Sequence, residues 1–225
     1  MNKLLKTLLG SCALILALNT PVMSDSSNFA GPYIGVQGST VGVGVQGGKN
    51  GGVDGVKESN NVNVGKTGIT AGLELGYAIP VGSAFLLDIG GTYIDGAVTL
   101  KHQSNDTAAT DDVKFVVQQF YSMYAAPTVV LSDTSSMYVK IGYSEASVNV
   151  GGDVTNPGDL QGNTYAIGTR TVLDSGIFIR TEAGYTDYNG ISAHGKGNSG
   201  GIASSTSYSA EPIIAFGTVS LGFRF

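Results

Sequence analysis

The chain has 225 residues, 34 of them glycine and none tryptophan, with 13% charged residues and a formal net charge of −5. So acidic and sparsely charged a chain lacks the basic surface that phosphate backbones require, which argues against nucleic acid as a partner. Its single cysteine, Cys12, leaves no internal disulfide framework and no thiolate metal cluster, and no cofactor is expected.

The amino terminus has the order of an export signal. Lys3 and Lys6 are followed by the apolar stretch Leu8 to Leu18, then by Val22-Met23-Ser24 ahead of Asp25. Residues 1–24 are therefore expected to be a signal peptide, and 25–225 the mature domain. Leu9-Gly10-Ser11-Cys12 has the look of a lipoprotein box, but the apolar core runs on past it, so lipidation is not expected. After this leader no apolar run approaches the roughly 18 residues of a membrane helix. Any passage through a membrane must be made by strands.

Strand alternation recurs along the mature chain. Pro32 to Val43 sets Ile34 and Val36 against Gln37, although its facing is not decided by the sequence. The clearest segment places Ile69, Ala71, Leu73, Leu75, Tyr77 and Ile79 on one face, with Thr70, Gly72, Glu74, Gly76 and Ala78 on the other. Leu87 and Ile89 then oppose Asp88 and Gly90. Phe115 to Val130 reads equally well on either face, because Phe120, Tyr121 and Tyr124 straddle both. Met137, Val139 and Ile141 oppose Lys140 and Gly142; Ile167 and Leu173 oppose Gly168 and Arg170; Ile177, Ile179 and Ala183 oppose Arg180, Glu182 and Gly184. The last segment, Ile213 to Phe225, ends in Val219, Leu221, Phe223 and Phe225 at every second position.

The connections between these eight segments alternate in length. Pro80-Val81-Gly82-Ser83, Leu131 to Ser135 and Asp174-Ser175-Gly176 are tight turns, whereas 44–66, 97–112, 148–162 and 189–207 are long and rich in Gly, Asn, Ser and Asp. Short turns at one end and long loops at the other suit an all-β, eight-stranded antiparallel transmembrane up-and-down β-barrel. Lipid offers no water to an unpaired backbone group, so such a sheet must close. Tyr33, Tyr77, Tyr93, Tyr143, Tyr185, Phe223 and Phe225 are candidates for interfacial girdles.

Eight strands leave an interior only wide enough for side chains. Opposite the apolar face lie Glu74, Asp88, Lys140, Arg170, Arg180, Glu182 and Arg224, three acids with four bases. Charges removed from water need partners, so these seven are expected to form a salt-bridged plug, with a gated proton or ion path as the alternative.

The leader, the opening Phe29-Ala30-Gly31-Pro32-Tyr33-Ile34-Gly35, the eight alternating strands and the closing Leu221-Gly222-Phe223-Arg224-Phe225 resemble the small outer-membrane β-barrel proteins of the opacity-protein, OmpA-like and OmpX-like type. The resemblance implies a place in the cell outer membrane, among membrane lipid and lipopolysaccharide. It also implies that Val219, Leu221, Phe223 and Phe225 are the signal read by the barrel-assembly machinery. Larger OmpA relatives continue into a peptidoglycan-binding domain, whereas this sequence stops at the barrel, so cell-wall anchoring is not expected.

Chemical motifs are weak. Gly42-Val43-Gly44-Val45-Gln46-Gly47 matches a dinucleotide fingerprint in letters without a following helix, Gly65-Lys66-Thr67 lacks the earlier glycine of a phosphate loop, and Gly197-Asn198-Ser199-Gly200-Gly201 has neither strand before nor helix after. Asp106, Asp111, Asp112, Asp153 and Asp159 lack calcium-loop spacing. His102 and His194 fall in expected loops, with Ser104, Asp106 and Ser199 nearby, but glycine-rich loops are poor frames for nucleophilic catalysis. The leading expectation is thus a plugged barrel that supports the membrane or contacts a host or surface ligand through its loops, and no enzyme. A narrow channel and an outer-leaflet lipid-modifying enzyme are the alternatives.

Overall fold

Residues 25–50, 60–102, 113–197 and 204–225 are described by a computed structural model, so the expected signal peptide lies outside the described residues. The strands are β1 (Gly31–Asn50), β2 (Asn60–Pro80), β3 (Phe85–His102), β4 (Val113–Val130), β5 (Ser135–Gly151), β6 (Leu160–Val172), β7 (Ile177–Tyr188), the short β8 (Ile191–His194) and β9 (Ser207–Arg224). Each pairs antiparallel with its neighbour in the order β1 to β7 and then β9, and β1 pairs with β9 from Tyr33↔Arg224 to Asn50↔Ser207. Eight strands therefore close into a barrel, as the alternation predicts, and β8 extends the sheet beside the far end of β9.

Alternation places the faces. Ile34, Val36, Leu73, Leu75, Ile89, Ile141, Ile167, Val219 and Leu221 are exposed on the outside, while Gln37, Glu74, Asp88, Lys140 and Arg170 are buried inside. This inverts a soluble domain, whose large apolar side chains turn inward. The undecided facing of β4 has a local cause. Gln119 sits at φ 55° and the ladder with β5 slips there, so Phe120 and Tyr124 point inward while Tyr121 and Met123 point out. On the far side of this bulge Val117 is also buried. One extra residue thus swaps the faces, which is why no single period fitted the segment.

The three tight turns lie at one end, each closed by a backbone bond: Val81 N to Phe85 O (2.9 Å), Leu131 N to Ser135 O (2.8 Å) and Leu173 N to Ile177 O (2.7 Å). At the other end the expected loops are shorter than the sequence suggested. β1 and β2 remain paired as far as Lys49↔Asn60, and β8 occupies part of 189–207. Glycine and asparagine there suggested loop, but the partner strand continues alongside and the ladder wins. Residues 153–155 also bond across to residues 194–196 at the end of β8 and just past it, with Thr155 N donating to His194 O (2.7 Å), and Val154 and Ala193 pack against Phe115, Val150 and Tyr208.

One gap in the wall lies between β2 and β3. The β2–β3 ladder stops at Ala71↔Asp95, although β2 runs on to Asn60 and β3 to His102.

The interior and its charge network

From the turn end outward, the lumen is built in four layers. The first is an apolar floor of Phe29, Tyr33, Ala78, Leu86, Val130, Val172 and Phe178. Phe29 is fully buried because the segment before β1 folds across the mouth. Ser26 bonds through its amide to Ser83 O (2.9 Å) and through its hydroxyl to Gly82 O (2.7 Å), and the Asn28 side chain reaches Asp133 O (3.2 Å). Asp25 caps the turn over Ser26–Asn28, and hydrogen bonds from Ser27 hold its carboxyl below the usual range. Large rings fit beside the wall because glycine faces them: Phe178 lies over Gly222, and Tyr138 over Gly168.

The second layer holds the charges. Asp88 Oδ2 accepts from both Arg170 Nη2 (2.7 Å) and Arg180 Nη2 (3.2 Å), and Glu74 accepts from Arg180 Nη1 (3.1 Å). Lys140 pairs with Glu182, which also accepts from the Tyr138 hydroxyl (2.9 Å). Arg180 further donates to Tyr124 Oη (3.2 Å), itself bonded to Tyr33 Oη (2.8 Å). Rings cover the cations as well, with Arg170 4.7 Å from the Tyr33 centroid, Arg180 4.9 Å from Tyr138 and Lys140 4.2 Å from Tyr124.

The structure thus brings six of the seven expected charges together and leaves one apart. Arg224 is partly exposed and donates to Ala30 O (2.9 Å) and Ser27 O (3.2 Å), binding the amino-terminal segment to the last strand. Without it the network holds three acids and three bases, so the layer is neutral as a whole. Each charge is removed from water, and the arrangement is tolerable because each has an opposite partner within reach.

The third layer is made of hydroxyls. Ser122, Ser144, Thr164 and Thr186 form a chain across β4 to β7, with Ser122–Ser144 at 2.6 Å and Thr164–Thr186 at 2.7 Å, and Ser39 bonds Thr218 at 2.8 Å. A cavity of about 60 Å³ lies here, with Lys140 and Glu182 at its base and Phe120 and Ile214 among its upper walls. That volume admits only a few waters. The fourth layer is apolar again, formed by Val41, Val43, Val98, Val117, Phe120, Ala146, Val148, Leu160, Tyr188 and Ile214.

The four residues of the expected assembly signal face outward on β9 and beyond it, Val219 and Leu221 more than half exposed and Phe223 against Phe225 edge to face at 5.2 Å. The outer aromatics differ from expectation at Tyr33. Its ring is 3% exposed and packs on Phe178 inside the barrel, because β1 turns its odd-numbered side chains inward. Tyr121 and Tyr165 stand outside in its place, stacked on Tyr93 (5.0 Å) and Tyr185 (5.6 Å). Sequence reading missed Tyr121 because the bulge at Gln119 hid its facing.

His194 is exposed at the end of β8, where its amide donates to Thr155 Oγ1 (2.9 Å), and the His102 side chain, Ser104, Asp106 and Ser199 lie outside what is described.

The architecture recurs in the solved structure of OprG. The outer membrane protein OprG from Pseudomonas aeruginosa is 12% identical and superposes with a TM-score of 0.51, over 91% of this chain and 100% of that one. Ail, the attachment invasion locus protein of Yersinia pestis, solved with the heparin analogue sucrose octasulfate, is 13% identical with a TM-score of 0.43, over 85% of this chain and 99% of that one. The outer membrane protease OmpT from Escherichia coli is 9% identical with a TM-score of 0.47, over 87% and 97%. No curated protein sequence matches the chain. Residues 10–209 match the outer membrane protein beta-barrel domain, and the chain belongs to that family, with its place in the cell outer membrane.

Proposed function

We propose that this protein is a plugged outer-membrane barrel with a structural and surface-interaction role, its extracellular end being the part that meets a host or surface ligand. The observation that carries this reading is the neutral layer centred on Asp88, Arg170 and Arg180, which crosses the lumen on buried, mutually bonded side chains. Above it the lumen is closed a second time by apolar packing. An ion would have to break buried pairs and then cross an apolar section, each step costing several kcal/mol. A solvated extracellular extension, by contrast, presents backbone and side chains to partners on a rigid scaffold.

Three further assignments belong to the same proposal. Residues 1–24 are the export signal, Val219, Leu221, Phe223 and Phe225 are the strand read by the barrel-assembly machinery, and the outer wall is in contact with lipid and lipopolysaccharide. No reaction is assigned to it.

Planar-bilayer recording tests the plug. The purified protein is expected to show no unitary conductance, and Arg170→Ala or Arg180→Ala to introduce leak. Stable conductance in the wild type, altered by those substitutions, would establish the narrow-channel reading in its place.

A further inference from the structure

We infer that the split between β2 and β3 is a strand-binding seam, fitted to an extended, acidic segment of a partner polypeptide. This deepens the surface-interaction reading and rests on it. The ladder between these strands ends at Ala71↔Asp95, and among the described residues nothing pairs β2 with β3 beyond that point. Both strands nevertheless continue, β2 held by β1 as far as Lys49↔Asn60 and β3 by β4 as far as His102↔Val113. Each is therefore already extended and fixed on one side, and each turns its other edge to the seam. Preorganised edges of this kind are templates for β-augmentation, because the incoming strand meets donors and acceptors without ordering the host.

The position of the split has a physical reason. Asp95 lies two residues beyond Tyr93, which stacks on Tyr121 on the outer wall. Aromatic pairs at this level mark the lipid–water interface, so the ladder is complete where lipid would punish an open edge and parts only where water can serve it. Register shifts on β3 between Ile94 and Ala97 begin the divergence.

The β2 edge has little of the usual protection. Natural proteins blunt exposed edges with proline, charges or short strands. From Asn60 to Thr70, β2 has no proline and one charge, Lys66. The Lys66 Nζ crosses the seam to the Thr99 carbonyl at 3.3 Å, so a full lysine side chain bridges edges that would stand about 5 Å apart if paired. Beyond Asp95, where the ladder ends, residues 60–70, 96–102 and 113–118 carry Lys66, Lys101 and Lys114 and no acid, in a chain of net charge −5. An acidic residue opposite Lys66 would replace that long single bond with an ion pair.

A second copy in the same membrane does not fit. Barrel strands tilt by about 35–45°, so two barrels side by side present strands crossing at roughly twice that angle. Ladder neighbours differ by only about 20–25°. The occupant must be a segment free to orient itself.

The probe is a fluorescein-labelled peptide copying residues 40–48 with glutamate in place of Val43, which leaves out Lys49 and keeps the peptide acidic. In the β1–β2 ladder that position stands opposite Lys66, so the same register serves the free edge. Anisotropy with the full-length protein in nanodiscs is expected to show saturable binding, weakened at least tenfold by Lys66→Glu and restored when the peptide carries lysine there. Amides of residues 66–70 that face β3 should exchange fast in the free protein and slowly with peptide. Protection without peptide would mean that the chain fills its own seam, and would overturn the proposal. So would absent binding, or binding indifferent to Lys66→Glu. Failure here with silent bilayers would leave the plugged barrel standing, whereas conductance in the wild type would sink that reading independently.

Discussion

Asp88 is the residue on which the interior turns, because one carboxylate oxygen serves two guanidinium groups, Arg170 at 2.7 Å and Arg180 at 3.2 Å. Asp88→Ala strips Arg170 of its carboxylate partner and leaves Arg180 with Glu74 alone, at an expected cost of about 3–5 kcal/mol. Arg224→Ala removes bonds to two carbonyls at a partly exposed site and should cost nearer 1 kcal/mol. Urea titration read by the heat-modifiable gel shift measures both, and equal losses would contradict the separation of Arg224 from the network. That separation was beyond the sequence. Arg224 shares its alternation with Arg180, but lies at the last position of β9, where it meets the Ser27 and Ala30 carbonyls of the amino-terminal segment.

At the scale of the element, β4 shows why pattern fails where geometry is irregular. Outward and inward positions on β2, β3, β5, β6 and β7 follow strict alternation and were legible, since each holds one register along the apolar band. β4 holds two registers separated by Gln119 at φ 55°, and nothing in the letters Val117-Gln118-Gln119-Phe120 announces a left-handed residue. Gln119→Gly should be neutral or mildly stabilising, because glycine adopts that conformation freely. Deletion of Gln119 should turn 113–118 inside out and abolish folding. Circular dichroism and heat-modifiability of the two variants check this, and a fully folded deletion would refute the role of the bulge. The long connections were overcalled as loop for a related reason: glycine-rich sequence without hydrophobic contrast still pairs when its neighbour is in place, as Gly44↔Gly65 and Gly47↔Val62 do.

On the scale of the molecule, the fold was readable because one physical demand governs it: apolar side chains outside, every backbone group paired, both faces alternating. The contents of the lumen were readable only as a set of charges. Their stacking above an apolar floor, below hydroxyls and a second apolar layer, depends on ladder registers that no local pattern specifies. The central claim is that alternate side chains face lipid around a closed, filled interior. Because the chain has no tryptophan, single substitutions report without background. Leu73→Trp, Ile141→Trp and Leu221→Trp, reconstituted in bilayers of dibrominated lipid, should be strongly quenched, while Phe178→Trp, in the floor of the barrel, should keep its emission. Quenching at Phe178→Trp with protection of the other three would place the apolar faces inside and contradict the account.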